Sequence, residues 1–406
     1  MAEILRTTRM DDINFEIRGP LLQEAERLQA AGEEIVNLSI GNPPAFGICA
    51  PGHIVREVAE RIEEAEPYGP AKGMVRAREA ILEQCRRKGI EGVDIEDIYV
   101  GNGASEVIVM ALQGLLNFGD EVLIPCPDFP LWTAAVKLIG GTPVCYMCDE
   151  AAGWGPDLKD IASKITPKTR GIVVINPNNP TGAVYPRETL LKIVELAAAH
   201  DLVIFADEIY DHVVYDGATH VPMASLSRDV LFVTFNGLAK THQLPGFRAG
   251  WMVVSGNKAA ARDYMLNGLD VLANMRLCGG MVAQLAIPPA LASYDDLHAL
   301  TSPGGRLYEQ RIAAYESFNA VPGVSCVKPM GALYLFPKID AVRYGIHDDQ
   351  KFLLEFLKAK KVLLVQGTGF AWPGPDHFRV VFLPEAAVIR SVADRLTAFL
   401  ATYRQA

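Results

Sequence analysis

No run of about 18 consecutive apolar residues occurs in this 406-residue chain although half of it is hydrophobic, so no membrane-spanning helix is expected and the apolar side chains must fill a core. The opening stretch, MAEILRTTRMDDINFEI, lacks the apolar centre of a signal peptide. Positive charge is scarce too: 38 Lys and Arg stand against 48 Asp and Glu, a formal net charge of -10, with no basic run at either end. That balance offers no electrostatic footprint for nucleic acid or an anionic membrane, and leaves small molecules or a second copy of the chain as expected partners. The seven cysteines are odd in number and scattered, which suits reduced thiols in a cytoplasm and not a disulfide framework. Cys145 and Cys148 do form a C-x-x-C, but it lies in a segment that reads as a strand, where residues three apart face opposite sides and cannot share a metal.

What the chain does have is a regular alternation. Short apolar runs recur at Val122-Leu-Ile-Pro-Cys126, Gly171-Ile-Val-Val-Ile175, Leu202-Val-Ile-Phe-Ala206, Leu231-Phe-Val-Thr-Phe235 and Trp251-Met-Val-Val254. Runs apolar on both faces predict strands covered on both sides by helices. Between two of them, residues 186–199 place Leu190, Leu191, Val194 and Ala197 at helical spacing behind a starting proline. The predicted fold class is therefore α/β with a mostly parallel sheet. Residues 20–31 predict an amphipathic helix stopped by Gly32, and Gly331–Phe336 with His377–Phe382 predict strands of a separate sheet. A large domain over 46–294 and a smaller α+β one built from 1–45 and 295–406 are expected.

Several loops carry chemistry. In Val100-Gly-Asn-Gly-Ala-Ser-Glu106 a strand end turns through glycines into a helix, a place where free amides and the helix dipole suit an anion; a merely tight turn explains the glycines as well. Asn176-Pro-Asn-Asn-Pro-Thr-Gly182 must turn, yet a turn does not require the amide Asn179. Asp207, at the end of another run, could only cap a following helix, and Lys240 alone would read as a surface lysine. Taken together, Asn179, Asp207, Tyr210, Lys240 and Arg248 come after successive predicted strands, at the sheet edge where α/β folds bind ligands. They are the groups needed to hold pyridoxal 5′-phosphate: an amine for its aldehyde, a carboxylate for its ring nitrogen, and positive charge for its phosphate.

Here the chain resembles the fold-type I pyridoxal-phosphate-dependent aminotransferases over nearly its whole length. The resemblance rests on Asn37-Leu-Ser-Ile-Gly-Asn-Pro43, Tyr68-Gly-Pro-Ala-Lys-Gly73, Gly101-Asn-Gly-Ala-Ser-Glu106, Pro127-Asp-Phe-Pro-Leu-Trp132, Asn178-Asn-Pro-Thr-Gly182, Asp207-Glu-Ile-Tyr210, Lys240, Gly246-Phe-Arg-Ala-Gly-Trp251 and Phe378-Arg379. Arg18-Gly-Pro20 and residues 303–311 are similar to bacterial alanine aminotransferases in particular. The resemblance implies a seven-stranded type of central sheet and a cytoplasmic homodimer with active sites shared across the interface. It implies that Lys240 bonds the cofactor and moves the substrate Cα proton, that Asp207 pairs with the ring nitrogen, and that Tyr210 and Asn179 bond the phenolic oxygen. Ala104, Ser105 and Arg248 would hold the phosphate, Tyr68 would reach the neighbouring subunit's phosphate, and Phe129 would stack on the ring. Arg379, with Asn179 and the backbone at Gly41, would grip the substrate α-carboxylate.

Four positions depart from the pattern: Gly237 and Ala239 replace hydroxyls common before the lysine, and Phe15 and Phe129 replace tyrosines. Phe15 and Phe129 bear on which amino acid is preferred, and Arg18 is the candidate for the distal carboxylate of 2-oxoglutarate or for an ordinary salt bridge. The expected reaction is ping-pong transamination of L-alanine and 2-oxoglutarate to pyruvate and L-glutamate. Its rivals are another amino-acid specificity (aspartate, branched-chain or aromatic), a β-lyase, and a cofactor-sensing regulator.

Overall fold

In the segment Thr169–Ile175 consecutive side chains alternate between two cores, Ile172 and Val174 joining one and Val173 and Ile175 the other. Strand side chains point alternately to two faces, so an unbroken apolar run needs cover on both. The computed structural model, which describes residues 7–11, 13, 19–256 and 259–405, builds its main sheet from such runs. Its strands are β1 (Ile98–Asn102), β2 (Glu121–Cys126), β3 (Thr142–Asp149), β4 (Gly155–Pro156), β5 (Thr169–Ile175), β6 (Val203–Asp207), β7 (Phe232–Gly237) and β8 (Ala249–Ser255), in the order β1-β8-β7-β6-β5-β2-β3-β4. The pairings from β7 through β6, β5 and β2 to β3 are parallel. β8 runs antiparallel to both β7 and β1, and two-residue β4 adds an antiparallel edge to the seven strands expected.

This topology sets where the loops meet. Ile175 is in register with Asp207, and Asp207 with Phe235, so the chain leaves β5, β6 and β7 along one edge. Arg248 reaches that edge differently. It precedes its strand, and the reversed direction of β8 sets Ala249 opposite Asn102, the last residue of β1.

The helices that cover the sheets or carry site residues are α1 (Pro20–Ala30), α2 (Val75–Arg87), α3 (Ala104–Leu115), α4 (Leu131–Ile139), α5 (Arg187–Ala199), α6 (Leu238–Thr241), α7 (Ala259–Met275), α8 (Arg306–Asn319), α9 (Asp349–Lys360) and α10 (Ala386–Leu400). α2 and α5 bury Ile81, Leu190 and Ile193 on one face of the main sheet; α3 and α7 bury Val107, Leu112 and Leu269 on the other. A third core joins Leu21, Ala25 and Leu28 of α1 to Phe318, Phe352, Phe356 and Leu396 of α8, α9 and α10. Beside it lies a three-stranded antiparallel sheet of β9 (Tyr334–Leu335), β10 (Val365–Gln366) and β11 (Phe378–Val381), with β11 central. The two predicted strands of this region are thus present but shorter. Among the described residues no helix is long and apolar enough to cross a membrane.

Candidate active site

A cavity of about 360 Å³ opens at the edge where these loops meet. Gly41, Ala104, Ser105, Phe129, Asn179, Asp207, Tyr210, Lys240, Arg248 and Arg379 all line it. Tyr68 does not, and is 82% exposed. Phe15 and Arg18 lie outside the described residues.

Asp207 closes β6 and is buried. Trp132, from α4, donates its indole Nε1–H to Oδ2 at 3.2 Å, and the Ile209 N–H approaches Oδ1 at 3.4 Å. Burial pushes the carboxyl pKa up to about 6 against these two bonds, and among the described residues no cationic side chain reaches it. Lys240 sits in α6, a single turn after β7, and its Nζ donates to the Gly41 carbonyl at 2.6 Å. Space there is tight: a Cβ on Gly41 would lie 2.5 Å from the Tyr334 hydroxyl and 3.3 Å from Lys240 Nζ.

Arg379 reaches the cavity from β11 and is buried. One guanidinium nitrogen donates to Asn179 Oδ1 at 3.0 Å and another to the Ser39 carbonyl. Its planar group stands between the rings of Tyr334 and Phe370, at 4.5 and 4.7 Å from their centroids. Its Nε is buried with no hydrogen-bond partner among the described residues. Burial lowers its pKa.

At the far side, α3 begins at Gly103, whose positive φ of 77° suits a residue without a side chain. A Cβ there would lie 2.2 Å from Arg248 Nη2. The guanidinium is held by the Pro245 and Asn102 carbonyls at 3.0 and 3.3 Å, beside the amide-rich first turn that carries Ala104 and Ser105.

Asn179 and Tyr210 also bond to neighbouring side chains. Asn179 Oδ1 is taken by Arg379, and the Tyr210 hydroxyl is bonded to that of Tyr334 at 2.6 Å. Tyr334 went unnoticed in the sequence, where one tyrosine in the run Gly331-Ala-Leu-Tyr-Leu-Phe336 reads as ordinary core. Trp132 closes the motif Pro127-Asp-Phe-Pro-Leu-Trp132, which assigns it no role, and Phe370 gave no signal of its own.

This sheet, with an amine, a lone buried carboxylate and an anion cradle converging at one edge, defines an enzyme of the aminotransferase type, and the chain belongs to the family described as aminotransferase class I and II, whose model matches residues 33–396. It is 54% identical to the glutamate-pyruvate aminotransferase AlaA of Escherichia coli (strain K12) over 405 residues, all of both chains. It is 49% identical to an alanine aminotransferase of Mycobacterium bovis, covering 98% of this chain and 93% of that protein. An aminotransferase structure from Escherichia coli superposes with a TM-score of 0.98 at 53% identity, covering 100% of both chains.

The cofactor of this family is pyridoxal 5′-phosphate, and the residues present fit it. The buried Asp207 lacks the cation that a protonated ring nitrogen would supply. Gly103 lets the Arg248 guanidinium lie against the first turn of α3, whose free amides and helix dipole suit an anion. The amine of Lys240 faces the same cavity.

Proposed function

We propose that the protein transfers the amino group of L-alanine to 2-oxoglutarate, giving pyruvate and L-glutamate in two ping-pong half-reactions. The observation that carries this reading is the convergence of Lys240, Asp207 and Arg379 on one small cavity whose walls include the apolar Ile40, Phe129 and Leu131. The names of the two relatives near 50% identity support the choice of substrate.

Bound there, pyridoxal phosphate supplies an electron sink for the bond broken at the substrate Cα. The chain's residues do the rest. Arg379 binds the substrate α-carboxylate, where its unpartnered Nε and planar fork suit a bidentate anion. Lys240 would accept the substrate Cα proton and deliver it to the cofactor's C4′ within the same half-reaction, and would run the transfer in reverse in the second. Asp207 stays ionised against a cationic ring nitrogen, while Ser105, the Ala104 amide and Arg248 bind phosphate. Tyr210 and Asn179 would bond the phenolic oxygen, Asn179 through its Nδ2 while Oδ1 accepts from Arg379.

We also infer a division into 46–294 and 1–45 with 295–406, supported by the separate third core, into which Ile48, Tyr210, Val213 and Tyr215 of the first unit also pack. A homodimer is supported by exposed Tyr264, Val271 and Met275, which share one face of α7, with Leu277 and Tyr68 also exposed. A cytoplasmic setting agrees with seven unpaired thiols.

A coupled assay tests the reaction: pyruvate forms from L-alanine only when 2-oxoglutarate is added, and Lys240→Ala abolishes turnover while the protein still folds. Pyruvate released with ammonia from cysteine, without an acceptor, would favour the lyase instead.

A further inference from the structure

The turn after β6, Asp207-Glu-Ile-Tyr-Asp211, divides its side chains between two sides. Asp207, Ile209 and Tyr210 line the cavity, whereas Glu208 and Asp211 are buried away from it. Two buried carboxylates in one turn require a counter-charge, because an unpaired ion inside a protein is strongly disfavoured. Lys88, the residue that ends α2, supplies it. Its Nζ lies 2.6 Å from Asp211 Oδ2 and 3.4 Å from Glu208 Oε2.

The other groups around the pair are neutral donors. The Met223 N–H donates to Glu208 Oε1 at 2.9 Å, and Asn236 Nδ2 donates to Asp211 Oδ2 at 2.8 Å. His212 and His220 face the carboxylates at 3.9 Å, but burial lowers both imidazoles, His212 to about 4, so Lys88 holds the charge at neutral pH. Asn236 lies on β7 just ahead of α6, so the same cluster touches the chain that presents Lys240. Lys88 itself does not line the cavity.

We propose that Lys88 is a positioning residue for transamination: by clamping Glu208 and Asp211 from behind, it fixes the turn that presents Asp207 and Tyr210. The inference rests on the reading of those two residues as cofactor contacts. Residues 208–211 form no helix; backbone bonds from Glu208 N–H to the Phe235 carbonyl (2.9 Å), Asp211 N–H to the Glu208 carbonyl (3.0 Å) and Val213 N–H to the Tyr210 carbonyl (2.8 Å) shape the turn, and the clamp adds the charged side-chain tie on the side away from the cavity. Misplacement by about 1 Å is enough to cost roughly a hundredfold in rate.

The test compares wild-type holoenzyme with Lys88→Met and Lys88→Arg, reading the alanine half-reaction, the dissociation constant for pyridoxal phosphate, and the pH at which the bound cofactor's absorbance changes. Lys88→Met is expected to lose about a hundredfold in rate and to shift the spectral transition by about one pH unit. Lys88→Arg should recover most of both. A Lys88→Met protein that is less heat-stable yet keeps the wild-type spectral transition and affinity overturns the proposal, since lost stability alone marks a structural role. If Lys88→Met does not fold, the triple variant Lys88→Met, Glu208→Gln, Asp211→Asn, which removes all three charges, is read by the same two outcomes. Wild-type protein that takes up no pyridoxal phosphate would instead overturn the underlying reading of the cavity.

Discussion

The hydroxyls of Tyr210 and Tyr334 lie 2.6 Å apart, with their rings edge to face and centroids separated by 5.7 Å. Burial raises the pKa of both phenols, but for Tyr334 the charges of Lys240 and Arg379 and the bond from Tyr210 outweigh it and bring its pKa below the ordinary value. Tyr210 is driven well above that value by burial and by its neighbour. The first proton therefore leaves from Tyr334. In cofactor-free protein, near-ultraviolet titration should show one tyrosinate forming below the usual pKa of about 10. Lys240→Ala should move that step upward, and Tyr334→Phe should remove it. A first step unchanged by Lys240→Ala would mean that the amine does not act on the pair.

Asp207→Asn separates stability from function. With a folded pKa of about 6 against roughly 3.9 unfolded, the carboxyl binds a proton more tightly in the fold. Its contribution is present below the unfolded value and is lost as pH rises through about 6. The cofactor-free Asn variant should thus be more stable than wild type at pH 8, by on the order of 2–3 kcal/mol, and equal to it near pH 4. Its transamination rate should fall roughly a thousandfold. Urea unfolding at both pH values checks the first claim, and coincident curves at pH 8 would contradict it.

Gly103→Ala addresses the anion cradle. The added methyl meets the Arg248 guanidinium at 2.2 Å, and a side chain is disfavoured at a φ of 77°. Affinity for pyridoxal phosphate, and for inorganic phosphate on the cofactor-free protein, should fall about tenfold or more. Equilibrium dialysis with inorganic phosphate isolates this effect from ring contacts, so retention of phosphate affinity would place the anion elsewhere.

What could be read from the sequence was local. Strands β2, β5, β6, β7 and β8 were legible because their unbroken apolar runs have one stable placement, between two helical layers. The loop motifs around Asn179, Asp207 and Lys240 were legible because turn residues and chemistry coincide within a few positions. Arg248 was placed at the right edge without the reason, since the reversal of β8 depends on pairings with β1 and β7. Tyr334, Trp132 and Phe370 were not legible as site residues: an aromatic ring in an apolar run has the same local pattern whether it packs in a core or flanks a guanidinium. Lys88 shows the same limit, because a lysine ending an amphipathic helix reads as solvated until the fold sets two buried carboxylates before it.

A final expectation concerns the strand that carries Arg379. His377, just before β11, is buried with Nδ1 2.9 Å from Asp376 Oδ1 and Nε2 facing Glu150 Oε2 at 3.5 Å. Glu150 directly follows β3 of the main sheet, so the imidazole ties the two sheets together. Lys338 Nζ reaches both carboxylates, at 3.3 Å from Glu150 and 3.8 Å from Asp376, and the rings of Phe336, Trp372 and Trp154 enclose the rest. Burial by itself would lower the pKa of His377, yet the bonds and charges of Asp376 and Glu150 prevail and raise it. A raised folded pKa means that the stability is fully present below the unfolded value of about 6.5 and is lost as pH climbs through the folded one. Wild type should therefore lose more stability than His377→Gln between pH 6 and pH 9. Because Arg379 lies two residues on, the KM for the amino acid should have a component over the same interval in wild type that the variant lacks, so that the two pH profiles diverge. Parallel pH profiles of the two proteins, in unfolding and in KM alike, would show that the imidazole is not the link.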